Sequence, residues 1–194
     1  MNMRALAGNL PSAYEYDGRV YEVQTDFREW IKFEMLLTDP DIILEDKTRR
    51  LEEIVFNEIP KDPELWAFIS WFYNCGRDYA GSGEKKSPGK KQSEVYSYEH
   101  DFGYIYAAFL ELYGIDLVDV PHLHWWKFKS LFWSLHDCKF TDIVGYRSEK
   151  ITSKTPDYRK EFLTNAKKRY ALPRSLSEQQ KIEELKRIKE KMGY

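Results

Sequence analysis

The stretch "HLHWWKFKSLFWSLHD", residues 122–137, decides how the rest of the chain is read. Wound as a helix, it puts Lys127, Ser130 and Ser134 on one narrow polar strip at i, i+3 and i+7. Apolar side chains take most of the remaining circumference. A helix that is apolar nearly all round is enclosed by neighbours on several sides. The fold must therefore supply other helices to cover it.

The sequence on either side supplies them. Thr25 or Asp26 can cap a helix with Phe27, Trp30, Ile31 and Met35 on one broad face, ended by "TDPD" at 38–41. A second helix is predicted from about Leu44 to Asn57, burying Leu51, Ile54 and Val55. Asp62-Pro63 reads as a cap followed by proline in the first turn, with Leu65, Phe68, Ile69 and Phe72 as core stripe and Trp66 and Tyr73 widening it. A fourth helix is predicted over Tyr98 to Tyr113, its stripe Phe102, Ile105, Tyr106, Phe109 and Leu112, stopped by Gly114. Thr141 can cap a short sixth helix through Ile143, Val144 and Tyr146.

Before these helices, "YEYDGRVYEV" (14–23) is a hairpin signal, because both central residues of a two-residue turn take positive φ and Asp17-Gly18 suits it. The register sets Tyr14 opposite Tyr21 and Tyr16 opposite Arg19, so Tyr14, Tyr16, Tyr21 and Val23 share one face. Residues 76–94, rich in Gly, Ser and Lys, offer almost nothing to bury and are expected to be a mobile insertion.

The end of the chain has another character. From Arg147 onward, fourteen Lys/Arg stand against seven Asp/Glu; before it, sixteen stand against twenty-five. An acidic front and a basic tail can attract one another within the chain or between copies, which leaves a homo-oligomer open. Thr155-Pro156 opens one helix, in which Phe162 is four residues from both Tyr158 and Ala166. Ser177 and Gln180 have capping-box spacing for a last helix, whose stripe of Ile182, Leu185, Ile188 and Met192 is thin enough to suit a partner rather than a core. The expected architecture is mainly α: a hairpin and helical core domain over 1–150, and a basic, extended helical appendage over 151–194. Core residues are Phe27, Trp30, Phe68, Phe72, Phe102, Tyr106, Phe109, Trp126, Phe128 and Phe132.

Reactive chemistry is thin. There is no glycine-rich phosphate loop, no GxSxG and no HExxH. His122 and His124, at i and i+2, point apart on a helix, and His136 lies about 18 Å along it from His124 at 1.5 Å per residue. His122 fits better as a residue ordering the helix entry. Cys75 and Cys138 read as reduced thiols. The start, "MNMRALAGNLP", is too short and polar for a signal peptide, and no apolar run approaches the roughly 20 residues of a membrane helix. The expectation is a cytoplasmic, non-enzymatic protein with no cofactor and no metal. Lys167, Lys168, Arg169 and Arg174, with Tyr158 and Tyr170 nearby, keep nucleic acid as an alternative partner, although interleaved acids weigh against it.

Three pieces in order carry a resemblance: "DGRVYEVQTDFREWIKFEMLL" (17–37), "DFGYIYAAFLELYGIDL" (101–117), and "HWWKFKSLFWSL" (124–135) followed by "FTDIVGYRS" (140–148). Together they resemble the bacteriophage gene-product-fifteen family of phages and prophages of Gram-positive bacteria, over roughly residues 10 to 190. The resemblance implies a protein encoded in the tail-morphogenesis region, near the tape-measure gene and a tail-assembly-chaperone gene. It implies a small helper of tail assembly, partnered by the tape measure, the tail tube or another tail chaperone. It brings no catalytic residues. The residues expected to touch such a partner are Ile182, Leu185, Ile188 and Met192.

Overall fold

The computed structural model describes residues 10–39, 42–77, 95–173 and 183. Among them are a two-stranded antiparallel hairpin and seven helices, so the chain is mainly α. The helices are α1 (Phe27–Thr38), α2 (Leu44–Val55), α3 (Leu65–Tyr73), α4 (Phe102–Tyr113), α5 (Trp125–Trp133), α6 (Lys139–Ser148) and α7 (Asp157–Arg169). The hairpin strands are β1 (Ala13–Tyr16) and β2 (Arg19–Glu22). The described residues fall into two compact units: those within 1–93 and 109–136, and those within 94–108 and 137–194. Within the second unit α7 packs on α6.

In the first unit the turn chemistry sets the hairpin. Asp17 and Gly18 hold φ of 50° and 70°, and Tyr14 faces Tyr21 while Tyr16 faces Arg19. The Tyr14 ring lies 4.4 Å from that of Phe68, and its hydroxyl donates to Asp62. The Asp62 carboxylate therefore helps anchor the hairpin. It also accepts the Glu64 N–H at 2.8 Å, so Pro63 and Glu64 form a turn and α3 begins two residues later than Pro63.

The core of this unit is a stack of rings. Trp30, with no exposed surface, stacks on Phe72 at 4.8 Å and on Trp125 at 6.0 Å. Phe128 stacks between Phe27 at 4.7 Å and Phe109 at 5.2 Å. Phe132 and Trp126 are also buried, and Phe68 is half-buried. The indoles bring polar N–H groups inside, and each finds a carbonyl. Trp125 and Trp126 donate to the carbonyls of Tyr73 and Phe72, both at 2.9 Å, and Trp30 donates to Gln24 at 2.6 Å. The first bond satisfies the Tyr73 carbonyl at the end of α3, and the Phe72 carbonyl also accepts the Cys75 N–H at 3.0 Å.

The second unit is built round one guanidinium. Arg147 donates to both oxygens of Asp101 at 2.6 and 2.8 Å, to the Val95 carbonyl at 3.1 Å and to the Tyr170 carbonyl at 2.6 Å. Asp101 is 1% exposed and also accepts the Ser97 N–H. This inward carboxylate corrects the expected stripe of α4. The helix starts at Phe102 rather than Tyr98, and the inward line runs Asp101, Ile105, Ala108, Phe109. Phe102 is 46% exposed, lies in the first turn and stacks on a half-buried Tyr106.

Further differences from expectation have local causes. Cys138, not Thr141, caps α6; Thr141 sits three residues on and accepts the Cys138 N–H. Helix α5 stops at Trp133, four residues short of Asp137, which takes φ 46°. In α7 the buried residues are Leu163 and Ala166, while Tyr158 and Phe162 are exposed. Of the insertion expected at 76–94, only residues 76 and 77 are described.

Candidate functional site

Three places were open for function: the histidines of the opening stretch, a surface between helices, and the basic tail. The histidines form a structural knot. His124 is the N-cap of α5: its Nδ1 accepts the Trp126 N–H at 3.1 Å, and its Nε2 lies 2.9 Å from the Pro11 carbonyl. A carbonyl only accepts, so these bonds assign the neutral ring with its proton on Nε2. Burial lowers the His124 pKa from its ordinary value, opposed by the bond to Pro11. His122, expected to order the entry turn, meets the Thr25 hydroxyl at 3.0 Å. Among the described residues no three His, Cys, Asp or Glu side chains come together as a metal site needs.

The knot joins two sequence motifs. The Arg28 guanidinium holds Asp26 at 3.1 Å and donates to the carbonyls of Leu117 at 3.1 Å and Val120 at 2.7 Å. Asp26 in turn accepts the N–H groups of Arg28 and Leu123. The adjacency of Asp26, Phe27 and Arg28 signalled a cap but not this long-range role.

Polarity alone does not mark Lys129 as an inward residue. It is 6% exposed, with its ammonium 4.9, 5.3 and 5.6 Å from the ring centres of Trp125, Trp133 and Tyr73 and 3.4 Å from Glu34. Its spacing of four from both Trp125 and Trp133 is the signal that places it between those rings. Nearby, burial pushes the Cys75 thiol up to about 11, against the pull of Lys129 and Arg77, so it stays protonated and a poor nucleophile at neutral pH.

One surface groove among the described residues lies between α1 and α2. This groove of about 720 Å³ has Leu36 and Ile54 among its lining, with Glu29, Lys32, Arg50 and Glu53 supplying charge of both signs. Where α1 stops and α2 starts, away from the Gln24 and Asn57 end of the groove, Met35, Leu37 and Ile43 are 41%, 41% and 63% exposed.

In the second unit, Lys167 donates to the Arg147 carbonyl at 2.7 Å, whereas Lys168 and Arg169 are exposed at the last turn of α7. Arg169 lies over the Tyr170 ring at 5.5 Å. Arg174, Ile182, Leu185, Ile188 and Met192 lie outside the described residues. No helix of the described residues is long and apolar enough to cross a membrane.

The motifs brought together by this architecture can be compared with known families. No curated protein and no solved structure matches the chain. A family model described as "Bacteriophage Gp15 protein" matches residues 6–172, which takes in the hairpin and every helix from α1 to α7. The chain belongs to the bacteriophage Gp15 family.

Proposed function

We propose that this protein is a non-enzymatic phage tail-assembly factor, a chaperone or accessory protein acting with the tape-measure and tail-tube proteins. The observation that carries the reading is the family match over residues 6–172, since the resemblance implies a place in tail morphogenesis. The α1–α2 groove supports it. An amphipathic helix buries an apolar stripe and presents charges along both edges. A groove offering Leu36 and Ile54 within a rim of both charge signs fits such a segment. Exposed Met35, Leu37 and Ile43, at the connection between the same two helices, add apolar surface of the kind interaction sites offer. The partner's segment would be a stretch of tape measure that must be covered before the tube polymerises round it.

Co-expression with the tape-measure protein and pull-down tests this. Retention of the tape measure is expected, with loss on Leu37→Glu together with Ile43→Glu, two exposed positions where charge does not disturb the core. No retention, and normal tails from a phage lacking the gene, would overturn the proposal.

A further inference from the structure

The second unit carries a surface that the assembly role does not use. Four rings run in sequence across α4, α6 and α7: Phe162 to Tyr146 at 5.3 Å, Tyr146 to Tyr170 at 6.2 Å, and Tyr170 to Tyr104 at 6.5 Å. Cations ride on them. Arg159 lies 5.3 Å from the Phe162 ring centre, Lys139 lies 5.1 Å from that of Tyr170 and 5.9 Å from that of Tyr146, and Arg169 lies 5.5 Å from that of Tyr170. Tyr158, one turn before Phe162 on α7, is 77% exposed. Tyr146 and Tyr170 are half-buried, but Tyr104 is 37% and Phe162 45% exposed, and the core does not need Tyr158 or Phe162, because α7 packs through Leu163 and Ala166.

We propose that this face binds single-stranded nucleic acid. A single strand offers phosphates for cations and unpaired bases for rings, in alternation along its length. Here ammonium and guanidinium groups alternate with aromatic rings along one face. The charge balance favours a polyanion. Helix α7 holds Arg159, Lys160, Lys167, Lys168 and Arg169 against Asp157 and Glu161. The pairs Lys160–Asp157 at 2.9 Å and Arg159–Glu149 at 3.1 and 2.5 Å cancel, which leaves Lys139, Lys167, Lys168 and Arg169 against Asp142 and Glu161. Tyr158 and Phe162 supply open ring surface, Lys168 and Arg169 the exposed charge. An acidic protein would need the cations but not the exposed rings of Tyr104, Tyr158 and Phe162.

The test uses the full chain and a fluorescently labelled oligothymidylate of about twenty nucleotides, long enough for one site. Anisotropy is measured from about 50 to about 200 mM salt, where phosphate contacts weaken steeply. Wild type is expected to bind the single strand more tightly than a duplex of equal length. Lys168→Ala with Arg169→Ala should weaken binding and lower the logarithmic salt slope by about 1.4, near 0.7 per lost single-strand contact. Tyr158→Ala should weaken single-strand binding about tenfold with the salt slope unchanged. Circular dichroism checks that both variants fold, which their exposure favours. No binding at about 50 mM salt overturns the proposal. So does equal displacement of the oligonucleotide by polyglutamate of matched charge, which would make the face an acidic-protein site.

Discussion

Asp26 and His124 face each other in an isolated antiparallel bridge, so the residue that caps α1 meets the residue that caps α5. The bridge is made by Phe27 donating to the Leu123 carbonyl at 2.9 Å and Trp125 donating to Thr25 at 2.7 Å. Two stretches about a hundred residues apart in sequence thereby fix each other's helix starts. His124→Ala removes the cap and leaves the Trp126 N–H and Pro11 carbonyl unserved in a largely buried place. The expected loss is about 2–3 kcal/mol, read from denaturant midpoints. His124→Asn, which keeps an N-cap acceptor but not the reach to Pro11, should recover about 1 kcal/mol of it. An unchanged midpoint for the alanine variant would remove the knot from the account.

The same histidine sets a pH dependence. Burial holds its folded pKa below 6.5, so the folded state keeps the ring neutral while the unfolded chain takes up a proton. A depressed pKa contributes stability that is present above the unfolded value and is lost as pH falls through the folded one. The window therefore opens near 6.5 and extends downward. Stability of the wild type minus that of His124→Asn, followed from pH 8 to pH 5 (about three units) by thermal melts, is expected to shrink on acidification. A difference that stays flat would mean that the fold does not shift the pKa of this ring.

Much of this fold is legible where one residue type answers one local demand. Asp17-Gly18 meets the positive φ of the turn, and period-two alternation then fixes the register of the hairpin. Asp26 and the ring-rich faces of α1, α3 and α5 are read the same way. Legibility fails where a distant partner decides. Phe102 looks like the first core residue of α4, but Asp101 takes the inward slot because Arg147, forty-six positions later, is there to pair with it. Tyr158 and Phe162 have core spacing as good as that of Leu163 and Ala166, and only the packing of α7 on α6 chooses between the two faces. His122 and His124 differ by two positions, and the carbonyl of Pro11 selects the second.

Close packing at one glycine gives a contrast that separates sterics from backbone strain. Helix α3 ends with Cys75 at φ 56° and Gly76 at φ 71°, and Gly76 donates its N–H to the Trp71 carbonyl at 2.9 Å. A Cβ at Gly76 would lie 2.9 Å from the Trp126 ring, whereas one at Gly114, φ 64°, would meet nothing within 4 Å. Gly114→Ala is expected to cost about 1 kcal/mol for the left-handed backbone alone. Gly76→Ala carries that cost and the displacement of a buried indole bonded to Phe72, for a total of about 2–4 kcal/mol. Equal losses in thermal stability would show that Trp126 yields freely.

Arg147 and Asp101 give the sharpest test of the second unit. The guanidinium serves two carboxylate oxygens and two carbonyls at once, and among the described residues no buried side-chain polar atom lacks a partner. Removing either half strands a charge with about 10% of the Arg147 side chain and 2% of the Asp101 side chain exposed. Asp101→Leu or Arg147→Met alone is expected to cost about 3–5 kcal/mol. The double variant strands no charge, so its loss should fall short of the sum by a coupling of about 1–3 kcal/mol. Arg147→Lys discriminates further. A lysine keeps the charge but lacks the planar fork that reaches Asp101, Val95 and Tyr170 together, so a loss of about 1–3 kcal/mol is expected even with the ion pair retained. Additive losses in the double variant, or a neutral Arg147→Lys, would show that the residues 95–101, α6 and the end of α7 are held together by apolar packing of Ile143, Leu163 and their neighbours rather than by this guanidinium.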